Sequence, residues 1–134
     1  MAIFFNKVER INPQDRNAPK KWYPSLKTIE QIQQKQVAKE IADETTLNPK
    51  EAEMALEQLL KVLVRNLLTS NSVQLGDWGS FSISGSGTPS ETKEEVTANN
   101  IKSVKVNFTA GKALKDALKE ATFKPAESIV SKKA

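Results

Sequence analysis

The chain has 134 residues, 38% of them hydrophobic and only 6% aromatic, with a formal net charge of +4. That length suits one domain with appendages, and so lean a core is easier to understand if a second subunit completes it. The chain has neither cysteine nor histidine, which excludes disulfides, thiolate chemistry, the commonest general base and the commonest zinc ligand.

No run approaches the roughly 20 apolar residues that span a bilayer. Met1–Asn6 is too short for a signal-peptide core and has no basic residue ahead of it, so a reducing cytoplasm is expected. The charge is unevenly spread. Residues 1–27 carry six basic and two acidic side chains, and residues 101–134 carry eight and three. The middle is acidic: residues 28–72 carry five basic against seven acidic, and residues 73–100 one against four. Cations gathered at the two ends point to a polyanion partner but carry no sequence specificity. The plainer reading is solubilising lysine on exposed faces.

In chain order, residues 3–11 are rich enough in β-branched and aromatic side chains for a strand, although Phe4 and Val8 break the alternation of Ile3, Phe5 and Ile11. Pro13, Pro19 and Pro24 exclude a helix and favour an extended crossing segment, with Trp22 and Tyr23 anchoring it on an apolar surface. Thr28 followed by Gln31 resembles a capping box, and Ile29, Ile32, Val37 and Ile41 recur at helical spacing, so a first helix is predicted from Thr28. Asn48, Pro49 and Glu51 open a second helix. Its apolar face, from Ala52 to Leu68, is wider than one small sheet requires and implies a second partner. Asn71 suits the left-handed position after it.

Val73 and Leu75 read as a short strand, and Gly76 and Gly79 bracket a turn that needs unusual dihedrals or close backbone approach. Phe81 and Ile83 resume alternation. Ser84–Ser90 reads as flexible loop, followed by acidic Glu91, Glu94 and Glu95. Val104, Val106 and Phe108 mark a half-buried strand. Thr109 is a candidate cap for a last helix with Ala113, Leu114, Ala117 and Leu118 on one side and Lys112, Lys115 and Lys119 on the other. A basic, loose tail is expected over 123–134.

Two motifs, Gly76-Asp77-Trp78-Gly79-Ser80-Phe81 and Gly111-Lys112-Ala113-Leu114-Lys115-Asp116-Ala117, follow two amphipathic helices in that order. Together they resemble the bacterial histone-like HU and integration host factor family. The added N-terminal segment, with Asn12-Pro13 and Pro19-Lys20-Lys21-Trp22-Tyr23-Pro24, resembles the longer HU-like proteins of the HU-HIG type. The resemblance implies an α+β fold in an intertwined dimer. Each subunit would have two helices, a three-stranded antiparallel sheet with a β-arm and a short C-terminal helix, plus an extra N-terminal strand. It divides the chain into an extension over 1–27, an HU-like domain over 28–122 and the tail over 123–134.

The resemblance also implies a nucleoid-associated homodimer that binds double-stranded DNA with little base readout. Its phosphate contacts would fall on Lys112 and Lys115, on backbone amides around Gly79 and Ser80, and along the arm on Lys93, Lys102 and Lys105. Family arms are rich in arginine and carry a wedging proline at the tip. Here the stretch between Phe81 and Phe108 has no arginine, and Pro89 falls early within it, so Pro89 reads as a turn proline. An HU-like scaffolding module that has lost strong DNA binding is the alternative. No enzyme, cofactor, metal, membrane or small-molecule substrate is expected.

Overall fold

The computed structural model describes residues 1–127. The chain divides into two compact units. One joins Met1–Ile32 to the segment from Leu118 onward, and the other is Gln33–Ala117. Residues from early and late in the chain thus build the first unit.

The first unit is a three-stranded sheet of β1 (Ile3–Arg10), β2 (Lys21–Lys27) and β6 (Phe123–Pro125), in the order β2-β1-β6. Strands β1 and β2 pair antiparallel, with Phe5 opposite Leu26 and Val8 opposite Tyr23. The turn between them is closed by bonds from Asp15 N to Asn12 O and Ala18 N to Asp15 O. Strand β6 runs parallel to β1, with Ile3 facing Phe123. Ile3 N donates to Thr122 O and Ala126 N to Phe5 O, each at 2.8 Å, and Ala126 is buried.

The extension therefore holds two strands rather than one; only the end of the expected crossing segment, from Lys21, lies in the second, and the residues before it form the turn. Pro24 is tolerated because β2 is an edge strand, where a missing N–H breaks no ladder. Trp22 is 68% exposed, so it does not anchor the segment in the manner expected. Residues 123–125 of the expected loose tail form β6, while Lys132 and Lys133 lie outside the described residues.

The second unit opens with helices α1 (Gln34–Glu44) and α2 (Pro49–Leu68), which pack on each other. Ala38 and Ala52 are each 1% exposed; the short side chains let the two backbones approach. Helix α1 begins at Gln34, six residues later than the Thr28 pattern predicts, and the residue before it, Gln33, makes no side-chain cap. A cap is worth about 1 kcal/mol, and here it does not decide the boundary. The helix occupies the part of the chain that packs on α2. The start of α2 follows the predicted chemistry: the Asn48 side chain accepts from Glu51 N at 2.8 Å, and its amide reaches back to the Glu51 carboxylate. At the far end Ser70, not Asn71, takes the left-handed conformation with φ 68°, and Asn71 N closes the turn on Asn66 O at 2.9 Å.

Strands β3 (Val73–Gln74), β4 (Gly79–Gly87) and β5 (Ile101–Ala110) form the second sheet, antiparallel throughout. A 3-10 turn over Gly76–Trp78 joins the first two strands. Ser84–Gly87, expected as loop, continues β4. A cross-strand partner for each residue outweighs the poor strand propensity of a serine–glycine run. Helix α3 (Lys112–Lys119) follows β5 directly. Thr109 lies in β5 opposite Ser80 and is not its cap.

Candidate nucleic-acid interface

The β4–β5 hairpin separates its side chains sharply because strand neighbours alternate between faces. Ser80, Ser82, Ser84 and Ser86 face Thr109, Asn107, Lys105 and Ser103. Asn107 Nδ2 donates to Ser84 Oγ at 2.8 Å, and the Ser86 and Ser103 hydroxyls lie 2.6 Å apart. The opposite face is apolar: Phe81 meets Phe108 with ring centroids 4.9 Å apart, and Ile83 meets Val106. Val104 and Val106 on this face are 62% and 59% exposed. The serine repeat at every second position was a readable strand signal that glycine and proline nearby obscured.

Beyond Gly87 the hairpin is tied by one side chain. Asn100 Nδ2 donates to Thr88 O and to Ser90 Oγ, each at 2.9 Å, while its Oδ1 accepts from Thr97 N at 2.9 Å. Thr88 N donates to Asn100 O at 2.8 Å. Two short 3-10 turns, Lys93–Glu95 and Ala98–Asn100, fill the tip.

The seven candidate contact residues are distributed over this unit. Lys112 and Lys115 are exposed, three positions apart near the start of α3, and so lie on adjacent parts of its surface. Lys105 stands on the polar face of β5. Lys102 falls at the register shift opposite Ser86/Gly87 and has no cross-strand partner in the ladder. Lys93 sits in the tip turn with Glu94 and Glu95 beside it.

Gly79 is buried, with φ 142°. A Cβ there would stand 2.2 Å from Thr109 O and 2.9 Å from Gly111 N. A Cβ on Gly111 would stand 2.4 Å from Asp77 O. The two glycines thus permit the close crossing of the turn over the β5–α3 junction, where Gly111 N donates to Trp78 O at 2.7 Å. Ser80 is half-buried in the ladder beside it. Trp78, Phe108, Ala113, Leu114 and Ala117 line an open apolar hollow next to this crossing.

Among the described residues no group of three or more acidic side chains is placed to hold a metal ion, and no helix is long and apolar enough to cross a membrane.

The chain is 33% identical over 90 residues to DNA-binding protein HU-alpha of Aeromonas hydrophila, a match covering 63% of this chain and 96% of that protein. Its fold is similar to the crystal structure of a Bacteroides vulgatus protein described as DNA-binding. There the TM-score is 0.67 at 17% identity over 93% of this chain, which spans 48% of the length of that one. It is also similar to the Anabaena HU–DNA cocrystal structure, with a TM-score of 0.53 at 16% identity over 66% of this chain and 99% of that one. At those identities the two structures speak for the fold alone. Residues 1–125 match the family described as an HU domain fused to a wHTH, Ig or glycine-rich motif, and the chain belongs to that HU-HIG family.

Proposed function

We propose that this chain is a histone-like, nucleoid-associated protein that binds double-stranded DNA as a homodimer, through phosphate contacts with little base readout. The observation that carries the reading is the family match, over nearly the whole chain, to an HU-type domain with a cationic last helix. Lys112 and Lys115 are its leading phosphate contacts, with Lys105 and Lys102 along the arm and Lys93 at its tip. The burial of Gly79 favours a supporting role for that residue and for Ser80, which together set the crossing that holds the start of α3.

A homodimer is supported by apolar surface that one subunit leaves open. Met54, Leu60, Val64 and Leu68 on α2 are exposed, as are Val104, Val106 and Phe108 on β5. Contiguous apolar faces of this kind mark association surfaces.

The test is fluorescence anisotropy of a labelled random-sequence duplex of about 30 base pairs at several salt concentrations. Saturable binding is expected, with log affinity falling by about 0.9 per log unit of salt for each phosphate neutralised. Lys112→Glu/Lys115→Glu is expected to weaken binding at least about tenfold with unchanged melting temperature and dimer mass. Binding no tighter than that of an unrelated protein of equal charge overturns the reading.

One observation favours a second reading, an HU-like scaffolding module. The arm tip has no arginine and carries Glu91, Glu94 and Glu95 around Lys93, a charge pattern that repels a phosphate backbone. Absence of duplex binding at low salt, with the dimer intact, would favour it.

A further inference from the structure

The terminal sheet sorts its side chains by charge. Residues that face each other across strands share a side of the sheet, and alternate residues along a strand return to it. Arg10 faces Lys21, Val8 faces Tyr23, Asn6 faces Ser25, and Phe4 lies between Lys27 on β2 and Lys124 on β6. All of these occupy one side. The only carboxylate of the three strands, Glu9, faces Trp22 on the other side, which it shares with Lys7 and Phe5. One side therefore carries four cations and no acid, and all four are exposed.

That arrangement works against the sheet. Like charges directly opposite one another destabilise a strand pair, and Arg10 stands directly opposite Lys21. A polyanion laid on this side would relieve the repulsion. The dimensions suit a nucleic acid backbone. Lys21 and Lys27 are six residues apart on one strand, about 20 Å at roughly 3.3 Å per residue. Arg10 and Lys21 thus form one cationic end, Lys27 and Lys124 the other, with uncharged Tyr23, Val8, Asn6 and Ser25 between them. The span exceeds the roughly 12 Å width of the major groove, so each end can meet a different phosphate strand.

We infer that this side of the β2-β1-β6 sheet is a second contact surface for the phosphate backbone of duplex DNA, distinct from the lysines of α3 and of the β4–β5 hairpin. Tyr23, 44% exposed at its centre, offers a hydroxyl to the same backbone. The surface goes beyond the HU-type body contact and stands without it.

The test compares three full-length variants in the same anisotropy titration. The first neutralises this side: Arg10→Gln, Lys21→Gln, Lys27→Gln and Lys124→Gln. The second removes the same charge from exposed helix positions: Lys35→Gln, Lys39→Gln, Lys50→Gln and Lys61→Gln. The third is Lys112→Glu/Lys115→Glu. Circular dichroism melting checks that each is folded. The sheet variant is expected to bind duplex DNA at least about tenfold more weakly than the charge-matched variant, with a salt slope shallower by about 3.6, since each of the four phosphate contacts contributes about 0.9.

Equal affinity and slope in those two variants would overturn the inference, whatever the third variant does. Loss in the third alone leaves the body reading standing and removes this surface. Loss in the sheet variant alone does the reverse. A sheet variant that keeps DNA binding but loses binding to phosphatidylglycerol–phosphatidylcholine vesicles would also overturn it, because the surface would then serve a membrane.

Discussion

The two sheets of this chain each have three strands, yet they divide their faces by different rules. The β3-β4-β5 sheet separates apolar from polar side chains: Phe81, Ile83, Val104, Val106 and Phe108 on one side, serines, Thr109, Asn107 and a single cation, Lys105, on the other. The β2-β1-β6 sheet separates by charge, with aromatic and aliphatic residues on both sides and four cations on one. A face that is apolar and open calls for a protein surface to cover it, because water exclusion is the only gain it offers. A face that is cationic and open calls for an anion. The β3-β4-β5 sheet is therefore the better candidate for subunit association, and the terminal sheet for polyanion contact.

The comparison breaks most severely at Gly79. Gly79→Val would place a β-branched side chain at φ 142°, where even a Cβ meets Thr109 O at 2.2 Å. Strain and overlap together are expected to cost more than about 3 kcal/mol. Chemical denaturation should show it, and amide exchange should show whether the β1–β2 hairpin survives in the fraction that loses β4–β5 protection.

Next in size is the apolar face. Val104→Asp/Val106→Asp replaces two exposed residues whose removal costs a lone subunit little, yet an associated face would bury both charges. Light scattering should report a halved mass, with a loss of several kcal/mol of dimer stability. Leu26→Lys on the terminal sheet is the matched control. Leu26 is 68% exposed, and its replacement should leave mass unchanged and stability within about 0.5 kcal/mol.

Asn48→Ala removes the cap of α2 outside both sheets and should lower stability by about 1 kcal/mol without altering either face. A mostly local effect is expected for Asn100→Ala. It removes three bonds that tie Thr88, Ser90 and Thr97 at the hairpin tip. Hydrogen exchange should rise at residues 88–100 while the melting temperature moves by no more than a few degrees.

The helices and glycines were legible because their signals are local. Asn48, Pro49 and Glu51 act within one turn, and a wide apolar stripe from Ala52 to Leu68 needs no partner to be read as helix. Gly76 and Gly79 stand where positive φ is required, at 58° and 142°. Order and spacing of the two glycine-bearing motifs then sufficed for the family. Errors fell where a distant partner overrides local preference. Thr28 and Gln31 form a cap pattern, yet α1, the helix that packs on α2, starts at Gln34. Ser84–Gly87 has loop composition, yet it is strand because β5 lies beside it. Residues 123–125 read as tail, yet β1, more than a hundred residues earlier in the chain, pairs with them.

The candidate contacts divide in the same way. The sequence by itself determined that Lys112 and Lys115 share a short helix, because helical spacing brings residues three apart together on one surface. It also determined that positive charge collects at the two ends of the chain. Only the tertiary structure decided that Arg10, Lys21, Lys27 and Lys124 stand together. Pairing register sets which face each strand residue occupies, and a shift of one residue would send a whole strand's side chains to the other side. That register is fixed by partners far apart in sequence, which composition and spacing do not record.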